Sequence, residues 1–314
     1  VTRVGAIDCG TNSIRLLVAD VDASRGTVTD LLRRMEIVRL GQGVDRTGRI
    51  DPEAMARTLA QAREYAAQCQ ELGAAQVRFV ATSASRDASN AGEFVDGVRE
   101  AFAAFGASPE VVSGEEEASL SFRGATGELR ANGIPSPFLV VDLGGGSTEF
   151  VRGATDVERA RSVDIGSVRM TERHLRSDPP TVAEINAAVA DIDAAVEQAA
   201  QVVDFHDVAT LVGLAGSITT ITAHALRLPR YESECIHGTK LPVERMVAAC
   251  TDLLEMPRAD RAALPYMHPG RVDVIGAGAL VWRRIVERLQ ADAGVGHTIT
   301  SEHDILDGIA LSIA

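Results

Sequence analysis

Two stretches of the sequence carry the same string of residues able to handle phosphate. Val4-Gly5-Ala6-Ile7-Asp8-Cys9-Gly10-Thr11-Asn12-Ser13 and Phe138-Leu139-Val140-Val141-Asp142-Leu143-Gly144-Gly145-Gly146-Ser147 each place Asp-x-Gly-x-x-Ser after a short apolar run. A second apolar run follows each, so both read as strand, tight turn, strand. Glycine lets a main chain approach closely and aim bare N–H groups at an anion, and the neighbouring hydroxyls add donors. Gly10, Thr11, Asn12 and Ser13 in one copy, and Gly144, Gly145, Gly146 and Ser147 in the other, are therefore candidate phosphate ligands. Asp8 and Asp142, at the strand ends, are placed to hold a hydrated metal ion or a water.

The repetition extends further. Asp8 and Asp142 lie 142 − 8 = 134 residues apart, and adding 134 to Val77–Ser83 lands on Leu211–Ser217. Both segments are apolar runs ending in small and hydroxylated residues before a helix. Gly216 and Ser217, at such a helix start, are candidates for a further phosphate. Arg15 and Arg86 are candidates for neutralising phosphate charge. Pleat alternation puts Arg15 on the same side of its strand as Ser13, and Arg86 lies in the turn after a strand.

Ser113-Gly114-Glu115-Glu116-Glu117-Ala118 opens another helix. Ser113 is its expected cap, and Glu116 the acid that reaches back in a capping box. Glu117 points elsewhere on the first turn and can take a proton from a water attacking phosphorus. The residues alone leave open that all three glutamates only complement the helix dipole.

These groups need a scaffold. Strands are expected at 3–8, 14–21 and 27–37, then a Gly-rich loop at 40–45. Next comes a helix from Pro52 to about Leu72, capped by Asp51. A strand at 77–81, a turn at 82–87, a helix from about 90 to 105 and a strand at 109–112 complete the first half. The second half repeats the plan. Strands are expected at 138–142, 147–152, 157–164 and 209–214, and helices at 167–176, 181–203, 217–226, 242–254 and 272–290. Thr181 and Glu184 form a capping box, and Asp304–Ala314 is a closing helix. Glu128–Pro137 is the one expected linker. Domains are expected at 1–125 and 126–300, with the last helix, from about residue 301, packing back on the first.

Composition narrows the class. The 314 residues suit two domains, and 46% apolar and 24% charged residues are ordinary for a globular protein. A net charge of −13 argues against a nucleic-acid or membrane surface. Lys240 is the only lysine, so every other fixed cation is an arginine, the better bidentate phosphate ligand. Cys9, Cys69, Cys235 and Cys250 are scattered, which suits a reducing cytoplasm. No signal peptide or membrane span is expected. The seven histidines show no ligand spacing.

A strand triplet, helix, strand and helix written twice is an α/β plan with two related halves. It resembles two duplicated ribonuclease-H-like domains of the actin-like ATPase type, with an interdomain cleft. Within that superfold the chain resembles the exopolyphosphatase / guanosine pentaphosphate phosphohydrolase (Ppx/GppA) family. The residues carrying this are Ala6–Ser13, Ala81-Thr82-Ser83-Ala84-Ser85-Arg86, Ser113–Ala118, Val141–Glu149 and Gly213–Ser217, in the family's order. The resemblance implies Glu117, the last glutamate of its string, as general base. Magnesium, or manganese in its place, would be held by Asp142 with help from Asp8. It further implies a homodimer and hydrolysis of terminal phosphoanhydrides of inorganic polyphosphate, processive or distributive.

Other readings remain: guanosine pentaphosphate 5′-phosphohydrolase, nucleoside triphosphatase, small-molecule kinase, or non-catalytic polyphosphate or alarmone sensor. A kinase needs a catalytic Asp beside an acceptor hydroxyl, and none is evident. One departure bears on substrate. Where family members carry Gly-Leu-Arg-Glu-Gly, this chain has Asp304-Ile305-Leu306-Asp307-Gly308, which removes a cation able to touch a phosphate chain. The longer members' additional helical domain is also absent from this sequence, which implies short chains or a nucleotide as substrate.

Overall fold

The computed structural model describes residues 1–314 and divides them into two units, Val1–Gly127 with Asp304–Ala314, and Glu128–His303. In the first unit the strands are β1 (Thr2–Cys9), β2 (Ser13–Asp22), β3 (Thr27–Ile37), β4 (Gln76–Ala81) and β5 (Glu110–Val111). Its helices are α1 (Val44–Thr47), α2 (Pro52–Glu71), α3 (Ser83–Asp87), α4 (Ala91–Ala101) and α5 (Gly114–Ala131), which runs past the division at Gly127. The closing helix α13 (Ile305–Ser312) belongs to this unit.

The sheet order is β3-β2-β1-β4-β5, antiparallel through β3, β2 and β1 and parallel from β1 to β5. Side chains alternate across it. Ile7 and Cys9 join the core under α2 and α4, with Phe79 and Phe94. Val4, Ala6, Leu17 and Ala19 join the opposite core, with Leu120, Ile305 and Ile309. That alternation puts Asp8 and Arg15 on the face covered by α13.

The second unit holds β6 (Phe138–Leu143), β7 (Thr148–Gly153), β8 (Val157–Val163), β9 (Thr210–Leu214), β10 (Lys240–Pro242) and β11 (His297–Thr300). Its helices are α6 (Ser167–His174), α7 (Val182–Ala200), α8 (Ala215–Leu226), α9 (Ser233–Ile236), α10 (Val243–Glu255), α11 (Arg258–Ala263) and α12 (Ile275–Ala293). The order β10-β11-β9-β6-β7-β8 matches the first sheet, with β11 standing where β5 stands. The offset of 134 holds in the register itself. Asp8 pairs with Arg15 and Val80, and Asp142 pairs with Glu149 and Leu214. Leu139, Val141, Leu143 and Phe150 face the core with Trp282, so Asp142 and Glu149 share the other face.

Some expectations change. The Gly-rich loop ends in α1, and the turn after β4 is the short helix α3. The expected linker is helical through Ala131, because Glu128, Leu129 and Arg130 continue α5 until Gly133, at φ 71°, turns the chain. The strands β10 and β11 and the helix α11 carry too few residues for a periodic signal.

Candidate active site

The two turns are built alike. Gly10 N–H donates to the Ser13 carbonyl at 2.9 Å, and Gly144 N–H to the Ser147 carbonyl at 3.0 Å. Each turn is braced from behind by the segment after its third strand. In the first unit, Val38 and Arg39 N–H donate to the Asn12 carbonyl and Gly41 N–H to the Thr11 carbonyl. In the second, Ser167 N–H donates to Gly144, and Val168 and Arg169 N–H donate to Gly145. The Arg169 Nε–H reaches the Gly146 carbonyl at 2.6 Å.

A trans peptide points its C=O and its N–H in opposite directions. With those carbonyls held at the back, the N–H groups of Asn12 and Ser13 point forward, as do those of Gly145, Gly146 and Ser147. Successive N–H groups pointing one way form an anion-binding nest. The same bonds cap the first turn of α6, whose leading donors have no partner within the helix.

Gly166 makes the second brace possible. A Cβ there would lie 2.4 Å from the Gly145 carbonyl oxygen.

Gly216 and Ser217 open α8. Ala215, just before them, sits at φ 70°, a left-handed conformation unusual for alanine. The Arg271 guanidinium lies against Gly216, where a Cβ would come within 2.2 Å of Nη2, and Nη1 donates to Thr220 Oγ1 at 3.1 Å. A guanidinium over a helix N-terminus suits a phosphate. Arg271 has no signal in spacing, because it lies 55 residues after Gly216 in a short 3₁₀ turn. Gly278 of α12 admits Ser217 and Ser167 to close contact, so the starts of α6 and α8 converge.

In the first unit, α5 sorts its three glutamates. Glu115 is exposed. Glu116 N–H is capped by Ser113 Oγ at 3.2 Å, but its carboxylate turns to Arg78 at 2.7 Å. The capping box expected at Ser113 is thus only half formed. Glu117 is 8% exposed and receives Arg86 Nη1 at 2.8 Å. That same nitrogen donates to the Val112 carbonyl, which fixes Arg86 across the start of α5.

Arg15 is placed otherwise than expected. Its Nη2 lies 2.6 Å from Asp8 Oδ2, Nε donates to the same oxygen at 3.0 Å, and Nη1 binds Asp304. Two buried carboxylates thus hold this guanidinium, and it is not available to a phosphate as the sequence suggested. Asp8 is correspondingly a poor metal ligand, with one oxygen already accepting two N–H bonds. Burial pushes the Asp8 carboxyl above its ordinary range against the pull of Arg15, and the Asp304 charge adds to the rise.

Asp142 is different. Its cross-strand partner is Glu149, and directly opposed side chains lie on one face with Cβ atoms about 5 Å apart. Both acids are nearly buried, at 6% and 1% exposed, and Ser162 donates to Glu149 Oε1 at 2.7 Å. Mg²⁺ takes one or two carboxylates and keeps several waters, so this donor pair fits it. Glu149 was within reach of the sequence: 15 + 134 = 149 makes it the counterpart of Arg15.

Leu306 is 1% exposed among the core residues under α13. Its side chain packs in that core, so the departure at this position is a packing feature. The flanking Asp304 and Asp307 bind Arg15 and Arg33.

The histidines hold one cluster. Glu128 accepts from His237 Nε2 at 2.9 Å and lies 3.3 Å from His303 Nδ1. Glu302 N–H donates to His237 Nδ1, so Nε2 carries the proton and both ring nitrogens are engaged. That pattern is a hydrogen-bonded network; it leaves His237 no lone pair for a metal. The His237 bond holds the Glu128 carboxyl below its usual range.

Comparison with known proteins gives a family. Residues 17–313 match the model of the Ppx/GppA phosphatase family, and the chain belongs to that family. It is 50% identical to exopolyphosphatase 2 of Mycobacterium tuberculosis over 317 residues, covering all of this chain and 99% of that protein. Among solved structures, an exopolyphosphatase-like protein superposes with a TM-score of 0.94 at 44% identity, covering 99% of this chain and 97% of the other. The Ppx-GppA enzyme of Aquifex aeolicus gives 0.80 at 29% identity, covering 99% of both.

Proposed function

From membership of the Ppx/GppA phosphatase family, we propose that this chain is an exopolyphosphatase that hydrolyses the terminal phosphoanhydride of inorganic polyphosphate and releases orthophosphate. The end-to-end match to exopolyphosphatase 2 carries this reading. The site geometry supports it. Forward-pointing N–H groups in both turns bind phosphoryl oxygens, and Arg271 with the α8 N-terminus binds a further phosphate. Glu117, held by Arg86, takes the proton of the attacking water.

Magnesium would be held by Asp142 and Glu149, and bound there it neutralises phosphate charge. Catalysis is then mostly positioning and electrostatics. The four cysteines are free, which supports a reducing, cytoplasmic setting. No helix is long and apolar enough to cross a membrane.

The test is a substrate panel with Mg²⁺: polyphosphate chains, guanosine pentaphosphate and ATP. Polyphosphate should release orthophosphate fastest. Glu117→Gln should lower kcat by ~10²–10⁴-fold with little change in KM. An unchanged rate in that variant would remove Glu117 as the base, and faster turnover of guanosine pentaphosphate would make the nucleotide the substrate.

A further inference from the structure

The second unit holds a cavity of about 940 Å³ away from the glycine turns, within the size range of small-molecule sites. It lies between the C-terminal end of α8, α10 and the stretch after α11. Leu228, Leu264 and Pro265 form apolar wall.

A polar chain crosses its lining. His224 Nε2 lies 2.6 Å from Asp252 Oδ2, and His224 Nδ1 lies 2.5 Å from the Tyr266 hydroxyl. With Nε2–H given to the carboxylate, Nδ1 accepts from Tyr266, so the hydroxyl is fixed in orientation.

Two arginines on the lining have no carboxylate partner. Arg245 gives Nε and Nη2 to the Ala225 carbonyl. Arg227 binds no acidic side chain. In a chain of net charge −13, two such cations on one cavity suit an anion.

Arg227 also sits at φ 55°, ψ 47°, the left-handed position that closes α8. Helices usually put glycine or asparagine there. An arginine in that conformation is strained, and such strain clusters at functional sites.

We propose that this cavity binds a small organic phosphate. Its dianionic group sits on Arg227 and Arg245, and its apolar body lies against Leu228, Leu264 and Pro265.

The test is calorimetric titration of the full chain with three probes: phenyl phosphate, inorganic phosphate and benzoate. Arg227→Gly and Arg245→Ala are titrated beside the unmodified protein. Any binding of the probes at the glycine turns is common to all three proteins, so the differences report the cavity. Phenyl phosphate should bind the unmodified protein, and each variant should weaken it at least about tenfold, the loss of a charge-assisted hydrogen bond. Inorganic phosphate and benzoate should show no such difference between the proteins. Arg227→Gly should also raise the unfolding temperature, because glycine suits the left-handed position, and should leave polyphosphate hydrolysis within about twofold. That variant separates lost binding from lost folding. Phenyl phosphate binding all three proteins equally, or none of them, would overturn the site. A difference of equal size for benzoate would overturn the dianion, and one for inorganic phosphate would overturn the apolar body.

Discussion

The two glycine turns share one backbone and carry opposite side-chain logic. Both close with the same Gly-to-Ser hydrogen bond, and both follow a strand whose next-to-last residue is an aspartate that is 6% exposed. The aspartates pair at the same register with their neighbours, yet Asp8 faces Arg15 and Asp142 faces Glu149. The first turn therefore carries its own counter-ion within the protein. The second presents two acids side by side, a donor set for a divalent cation. The two halves share the main-chain bonding of the turn. A single cross-strand position, Arg15 in one half and Glu149 in the other, separates an ion pair from a pair of acids.

The largest expected effect breaks the symmetry directly. Asp142→Asn and Glu149→Gln should each lower Mg²⁺-dependent phosphate release by about a thousandfold, ~4 kcal/mol of barrier. Asp8→Asn should lower it far less. Titrating Mg²⁺ against activity checks this: the first two variants should need much more metal, and Asp8→Asn should follow the unmodified curve. Equal losses at Asp8 and Asp142 would mean that both halves hold the ion.

Arg15→Met tests the other half. It would leave Asp8 and Asp304 buried without their shared cation, which typically destabilises by ~3–5 kcal/mol. Urea unfolding should show that loss. Activity per folded molecule should fall much less, because the guanidinium is engaged with carboxylates. A stable Arg15→Met protein that binds polyphosphate poorly would return Arg15 to the substrate.

The contrast also marks where sequence was sufficient. Strand triplets, the Asp51 cap and the Thr181–Glu184 capping box are local, set by residues within a few positions of each other, and all form as written. The Asp8–Arg15 pair was within reach once β1 and β2 were placed as neighbours. The partner that removes Arg15 from the substrate, Asp304, lies 289 residues away and arrives on a helix from the far end of the chain. Nothing local predicts that. Glu116 shows the same limit on a smaller scale. Its spacing from Ser113 fits a capping box, but Arg78, distant in sequence, offers the carboxylate a charged partner instead. Arg271 reaches Gly216 only through tertiary packing, which no local spacing signals.

The smallest expected effect separates the two braces. Both depend on a glycine, but what a methyl group would meet differs. At Gly166 it would meet the Gly145 carbonyl and the Gly146 nitrogen, at 2.4 and 2.7 Å, which are backbone atoms of the turn itself. At Gly41 its nearest neighbour would be Thr11 Cγ2 at 2.3 Å, the end of a side chain that can rotate, although Ala84 Cβ lies 3.0 Å away. Gly166→Ala should therefore push the second turn out of shape, destabilising by ~1–3 kcal/mol and reducing activity with it. Gly41→Ala should cost less than Gly166→Ala, because a new Thr11 rotamer removes its nearest contact and leaves Ala84 Cβ and Thr11 Cβ at 3.0 and 3.1 Å. Thermal unfolding and phosphate release, measured on both variants, give the ranking. If Gly41→Ala proved the more damaging to catalysis, the first turn would be the more demanding of the two, and the assignment of the metal-bearing chemistry to the second half would lose its backbone counterpart.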